Sequence, residues 1–151
     1  MGVPQIVSSN ETRPVPVYAG AIVLAPDGRI LCQLRDDKPD IICPGCWSTS
    51  PGGHVEPGEH PRHAIVRELL EEFEARVTNL QELVVIVEID QDTRGVYHAF
   101  SADLATPVGE IRCHEGQRAD FFEPLEAMRL RQHPVSKKIL LEFLRKEKGF
   151  R

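Results

Sequence analysis

Apolar positions along this chain fall mostly into short alternating runs, interrupted in the middle and at the end by runs of helical period. Val15 to Leu24, rich in Val, Ala, Ile and Tyr, predicts a strand, and Ile30 to Leu34 predicts a second. Ala25-Pro26-Asp27-Gly28 is a turn sequence between them, so the two are expected to form a hairpin. Trp47 to Ser50 reads as a short strand entering a turn at Pro51-Gly52-Gly53. Leu80 to Ile89 and Val96 to Leu104 read as strands joined through Gln91 to Gly95. Ala119 to Phe122 is a further short strand, with another around Ile111 to Cys113. Helical period covers Pro61 to Phe73 or Ala75, a short stretch from Pro124 to Arg131, and an amphipathic terminal segment from Val135 to Lys146. Residues 1 to 14 read as a loose or edge-paired lead-in. Strands with one helix in mid-chain and one at the end predict an α/β (α+β) fold, a mixed sheet with helices packed on it, as a single domain over residues 1–151.

The mid-chain helix carries the first chemical feature. At about 100° per residue, Ile65, Val66, Leu69, Leu70 and Phe73 share a stripe about 140° wide, the expected core face. Glu68, Glu71 and Glu72 gather on the other side. Like charges at that spacing repel by about 0.2–0.5 kcal/mol per pair, and Arg67 offsets only part of this. Three glutamates on a helix are most simply a solvated face. A divalent cation is the other resolution, since hard cations take carboxylate oxygens. The glycine-rich approach from Gly52 to Glu59 shifts the balance toward the cation.

Composition limits the partners. The chain has 151 residues, enough for a sizeable core, and a formal net charge of −5. It has no overall attraction to nucleic acid or to an anionic membrane, and a polyphosphate would need a cation or local basic residues as a bridge. Neither a secretory leader nor an apolar run of membrane-spanning length is present, so a cytoplasmic protein is expected. Its four cysteines, Cys32, Cys43, Cys46 and Cys113, are then expected as reduced thiols. A homodimer is compatible with the chain.

The pattern G-x5-E-x7-R-E-U-x-E-E-x-G-U, with U apolar, is the box of the Nudix (MutT-like) hydrolases, and this chain resembles it. Gly53, Glu59, Arg67, Glu68, Leu69, Glu71, Glu72 and Ala75 match eight of its nine specified positions across residues 53–75. Glu74 departs, standing where the family has glycine. A glutamate there must either adopt a left-handed cap, at about 1 kcal/mol, or let the helix continue. The likeness extends to Leu34-Arg35-Asp36-Asp37-Lys38, to Pro44-Gly45-Cys46-Trp47, and to Glu115-Gly116-Gln117 followed by Phe121-Phe122.

The resemblance implies a Nudix fold, a mixed sheet sandwiched between helices, and Mg²⁺- or Mn²⁺-dependent hydrolysis of the pyrophosphate linkage in a nucleoside diphosphate joined to another group. Carried over by position, Glu68, Glu71 and Glu72 with the Gly53 carbonyl are metal ligands. Glu71 or Glu72 is the alternative general base. Arg67 and Glu59 orient the glutamates. Arg35 and Glu115 are substrate-site candidates, Glu115 also as a further base or ligand. Nucleoside triphosphates (oxidised ones included), sugar nucleotides, ADP-ribose and dinucleoside polyphosphates all remain open as substrates. A catalytically silent nucleotide-binding module is the alternative, motivated by Glu74. Trp47 is expected in the core, and Tyr97 either packs or stacks on a base. Cys43-x2-Cys46 with His54, His60 and His63 is a weak zinc candidate, for want of a compact second ligand pair.

Overall fold

The computed structural model describes residues 14–147, so the lead-in expected over residues 1–14 lies outside it apart from Pro14. The chain runs β1 (Val17–Leu24), β2 (Ile30–Leu34), β3 (Trp47–Ser48), β4 (Gly52–His54), α1 (Pro61–Phe73), β5 (Val77–Glu88), β6 (Gly95–Leu104), a 3-10 turn (Val108–Glu110), β7 (Arg118–Phe122), α2 (Pro124–Ala127) and α3 (Pro134–Glu147). One mixed sheet has the order β3-β2-β1-β6-β5, with β4 added to β1 and β7 to β2. β1 and β6 are parallel over their whole length, from Val17 opposite Val96 to Leu24 opposite Asp103. The remaining pairs are antiparallel.

Alternation along β1 decides which helix covers which face. Ala19, Ala21 and Val23 point to one side and pack with Ile65, Leu69 and Phe73 of α1 and with Phe100. Ile22 points to the other side and joins Ile139, Leu140 and Phe143 of α3 with Trp47. The predicted layering, a mixed sheet between helices, is thus the observed one. Trp47 is a core residue, edge-on to Phe122 with ring centroids 5.0 Å apart.

Three local expectations change. First, the buried face of α1 is rotated from the predicted stripe. Ala64, Ile65, Leu69, Glu72 and Phe73 are buried, Leu70 is half-buried and Val66 is exposed. The acidic side is therefore split, because the helix sits with one edge against a cleft rather than flat on the sheet. Second, residues 111–113 form no strand; they follow the 3-10 turn and bond to the end of α1. Third, Gly52 to His54 is a strand rather than only a turn.

The glycines of β4 are there for close approach. A Cβ on Gly52 would lie 1.9 Å from the Ala19 carbonyl oxygen, and one on Gly20 would lie 2.6 Å from that of Ser50. Glycine at both positions lets β4 press against β1, with Gly52 opposite Gly20 and Gly53 opposite Ala19.

α1 begins where expected. Pro61 occupies its first turn, and His60 caps it by accepting the Arg62 N–H at Nδ1, 3.1 Å. Glu74 takes the left-handed conformation at φ 55°, ψ 33° that the family's glycine would adopt. Its N–H donates to the Leu70 carbonyl at 3.0 Å, and its carboxylate meets His114 Nε2 at 2.6 Å. The helix end is preserved despite the substitution.

The Gly52→Ala variant is expected to lose at least about 2 kcal/mol, since the clash is with backbone that cannot give way. Urea denaturation would show this as a lower midpoint with an unchanged slope.

Candidate active site

β1 and β2 separate immediately after their turn. Only Leu24 and Ile30 pair; beyond them β1 turns to β4, while β2 turns to β3 and β7. The gap becomes a cleft of about 470 Å³. Its acidic wall holds Gly53, Glu68, Glu72 and Glu115, and its other walls include Gln33, Arg35, Tyr18, Tyr97 and His133.

The cleft brings together two of the three helix glutamates. Glu72 is 7% exposed, and its Oε2 has no hydrogen-bond partner among the described residues. Burial pushes its carboxyl far above the ordinary range, and the adjacent Glu115 and Glu68 carboxyls push it further. Glu68 lies over Gly53, where a Cβ would come within 2.5–2.7 Å of the Glu68 carboxyl carbon and both its oxygens. Any Cβ at position 53 would push this carboxylate from the place it holds. Glu71 sits to the outside, its side chain 59% exposed.

Arg67 ties this arrangement to the loop before the helix. Its Nε and Nη2 grip the two Glu59 oxygens at 2.8 and 2.9 Å. Nη1 donates to Glu68 at 3.0 Å and Glu71 at 3.3 Å, and Nη2 donates to the His54 carbonyl at 3.0 Å. Glu59 also accepts the Glu56 N–H at 3.0 Å. One guanidinium thus holds like charges together, and Glu59, the strongest of these acceptors, raises its basicity.

Glu115 reaches Glu72 through long-range backbone bonds. The last carbonyls of α1 lack partners within the helix. His114 N–H donates to Glu72 O at 2.8 Å and Arg112 N–H to Phe73 O at 3.0 Å, so the loop before Glu115 caps the helix. Gln33 Nε2 donates to the Glu115 carbonyl at 2.7 Å, and Gln117 Nε2 to the Arg35 carbonyl at 2.8 Å. Sequence reasoning passed over Gln33. A polar residue amid the buried Ile30, Leu31 and Cys32 was the available signal.

Arg35 lines the cleft. Its Nε and Nη2 both donate to the Ile42 carbonyl, at 3.0 and 2.8 Å. Burial lowers its pKa, with Glu115 acting against that. Tyr97 stacks on Tyr18 with centroids 4.8 Å apart, and its hydroxyl donates to the Thr93 carbonyl at 2.7 Å. His133, also unforeseen, accepts the Val135 N–H at Nδ1, 3.2 Å. Burial, aided by Arg35, lowers its pKa to about 4, so the ring is neutral at pH 7.

The cysteines depart from expectation. Cys43 and Cys46 are joined as a disulfide, Cα to Cα 5.5 Å, while Cys32 and Cys113 are free. The zinc reading falls with this: both sulfurs are committed, His60 caps α1, and His54 packs on Tyr18.

The acidic wall suits a hard cation. Its donors are all oxygens, one of them buried and unpartnered, beside a glycine that clears the space. Among the described residues no three His, Cys, Asp or Glu side chains stand in ready-made ligating geometry. Arg67 holds Glu68 and Glu71 oxygens for which a cation would compete.

Comparison with known proteins agrees with this geometry. The NUDIX domain family matches residues 14–143, and the chain belongs to that family. It is 31% identical over 124 residues to the CTP pyrophosphohydrolase of Escherichia coli (strain K12), covering 82% of this chain and 88% of that protein. Its structure resembles a MutT NUDIX hydrolase from Burkholderia pseudomallei, with a TM-score of 0.68 and 26% identity over 86% of this chain and 98% of that one. The NUDIX domain of Shewanella oneidensis NrtR, solved with ADP ribose, shares the fold at a TM-score of 0.74 and 11% identity, over 94% of each chain.

Arg67 holds the Glu59 carboxyl at about 2, against an ordinary 4.5. The contribution of that pair to stability is complete above the unfolded value and is lost as pH falls toward 2. Glu59→Gln is therefore expected to lower the Tm at pH 7 and to flatten its fall below about pH 4.5. Melting curves across that range check both parts.

Proposed function

We propose that this protein is a Mg²⁺- or Mn²⁺-dependent pyrophosphohydrolase of nucleoside triphosphates, with a cytidine nucleotide as the first substrate to test. The observation that carries the reading is the buried, unpartnered Glu72 oxygen facing Glu68 and Glu115. The cytidine choice rests on the sequence likeness to the Escherichia coli enzyme.

In this reading Glu68, Glu71, Glu72 and the Gly53 carbonyl hold the metal. A bound divalent ion neutralises phosphate charge and makes water a better nucleophile at neutral pH. The protein's own residues do the rest. Arg67, clamped by Glu59, keeps Glu68 and Glu71 from separating. Arg35 places positive charge on the cleft wall for the polyphosphate. The Tyr18–Tyr97 stack lines the same cleft and offers apolar surface to a base. His133, neutral and with Nδ1 already accepting, is left to donate from Nε2. The silent-module reading loses its motivation, because Glu74 accepts the left-handed cap and leaves the box geometry intact.

The test is a panel of ribo- and deoxyribonucleoside triphosphates with each metal, scored for pyrophosphate release. Turnover is expected for cytidine substrates and should vanish with chelator. Glu72→Gln should lose about 100-fold or more in kcat. Its Tm should stay close to that of wild type, because the amide replaces a carboxyl that burial already holds in its neutral form. A fully active Glu72→Gln protein would sink the reading.

A further inference from the structure

We propose that Cys43 and Cys46 form a thiol–disulfide exchange site whose oxidation state sets how firmly the cleft wall holds a nucleotide. The proposal rests on the reading of the cleft as the nucleotide site.

The disulfide closes Cys43-Pro44-Gly45-Cys46, its cysteines three positions apart. Inside that ring the Cys46 N–H donates to the Cys43 carbonyl at 3.2 Å. Cys43 and Gly45 both have left-handed backbone, at φ 51° and 68°. That conformation costs a non-glycine residue about 1 kcal/mol, and the ring constrains Cys43 to it. So short a ring adds less to global stability than a long-range bridge would, and its effect is local.

What lies next to the ring gives the local effect a target. The Ile42 carbonyl, one residue before Cys43, accepts both Arg35 donors. Asp40, Ile41 and Ile42 line the same cleft as Glu68 and Glu72. The two ends of the loop are fixed to each other, Arg35 N–H to Cys46 O at 2.8 Å and Gly45 N–H to Asp36 O at 3.0 Å. The peptide between Ile42 and Cys43 is thus held by the ring on one side and by Arg35 on the other. Opening the ring frees Cys43 to leave the left-handed region. The Ile42 carbonyl then swings off Arg35, and the guanidinium loses its fixed place on the wall.

Access favours exchange at one sulfur. Cys43 is half-exposed and Cys46 is fully buried. The thiolate of a dithiol reductant attacks Cys43 Sγ, the Cys43–Cys46 bond breaks, and Cys46 leaves as a thiolate that takes up a proton. The second thiol of the reductant then attacks the mixed disulfide and releases Cys43 as a thiol. Two electrons and two protons reach the protein, and the reductant leaves as its own disulfide. A low-molecular-weight disulfide runs the sequence backwards.

The test compares full-length wild type in both states, with the thiols assigned by peptide mapping. On reduction, KM for CTP is expected to rise about five- to tenfold, the loss of one fixed charged contact, with kcat within about twofold. Amide hydrogen exchange over residues 36–46 should speed up in parallel. Cys43→Ser should show the high KM under both conditions. Turnover with the same KM and loop exchange in both states would overturn the proposal, as would a pair that stays as thiols under the disulfide oxidant. Loop protection that follows the thiol state in a protein without turnover would uphold the exchange site and remove the nucleotide reading instead.

Discussion

A carboxylate oxygen of Glu72 lies buried, unpartnered, and within reach of two further carboxyls. Burial and those neighbours disfavour its ionised form, and an unpartnered buried polar atom costs about 1–3 kcal/mol, so the rest of the helix has to hold it there. Ile65, Leu69 and Phe73, all fully buried, supply the opposing force by locking α1 onto the sheet face made by Ala19, Ala21 and Val23. Apolar anchoring and the acid it forces inward lie on adjoining faces of one short helix. The same geometry favours glycine at 53, because a Cβ there would displace the Glu68 carboxylate from the place it now holds.

Two sets of contacts then fix the flanks. On the outer side Arg67 binds the pre-helix loop to the helix through Glu59, His54 and the two remaining glutamates. On the inner side the loop before β7 supplies N–H groups to the last carbonyls of α1, and Gln33 draws Glu115 in from the strand opposite. The first set is local in sequence. The second joins segments far apart in the chain.

That difference governs how far the site could be read from residues. Helical period grouped Glu68, Glu71 and Glu72 with Arg67 nearby, and Glu59 entered only through the spacing of the family box that the chain resembles. The layered mixed sheet followed from alternation and turn chemistry. The exposure of Val66 and the burial of Glu72 were not legible, since period alone cannot say how a helix is rolled against its neighbour. Gly52-Gly53-His54 looked like a turn because glycine favours turns, whereas steric room beside Ala19 and Glu68 is its use here. The approach of Glu115 to Glu72 and the bridging of Cys43 to Cys46 are tertiary facts. Spacing pointed to reduced thiols or a metal at these two cysteines, and the bridge was not foreseen.

The parallel pairing of β1 with β6 has a consequence for the order in which the protein is made. β1 lies near the start of the chain, yet its longest partner is complete only at Leu104. The intervening segment contains α1 and β5, the long crossover that parallel neighbours require. During synthesis the glutamate-bearing helix emerges well before the strand that completes the sheet beneath it. Its apolar face can meet β1 at once but lacks Phe100 and Leu104 until β6 arrives. Non-local pairing of this kind slows folding, so a newly made chain is most open to misassociation in the interval between those two segments.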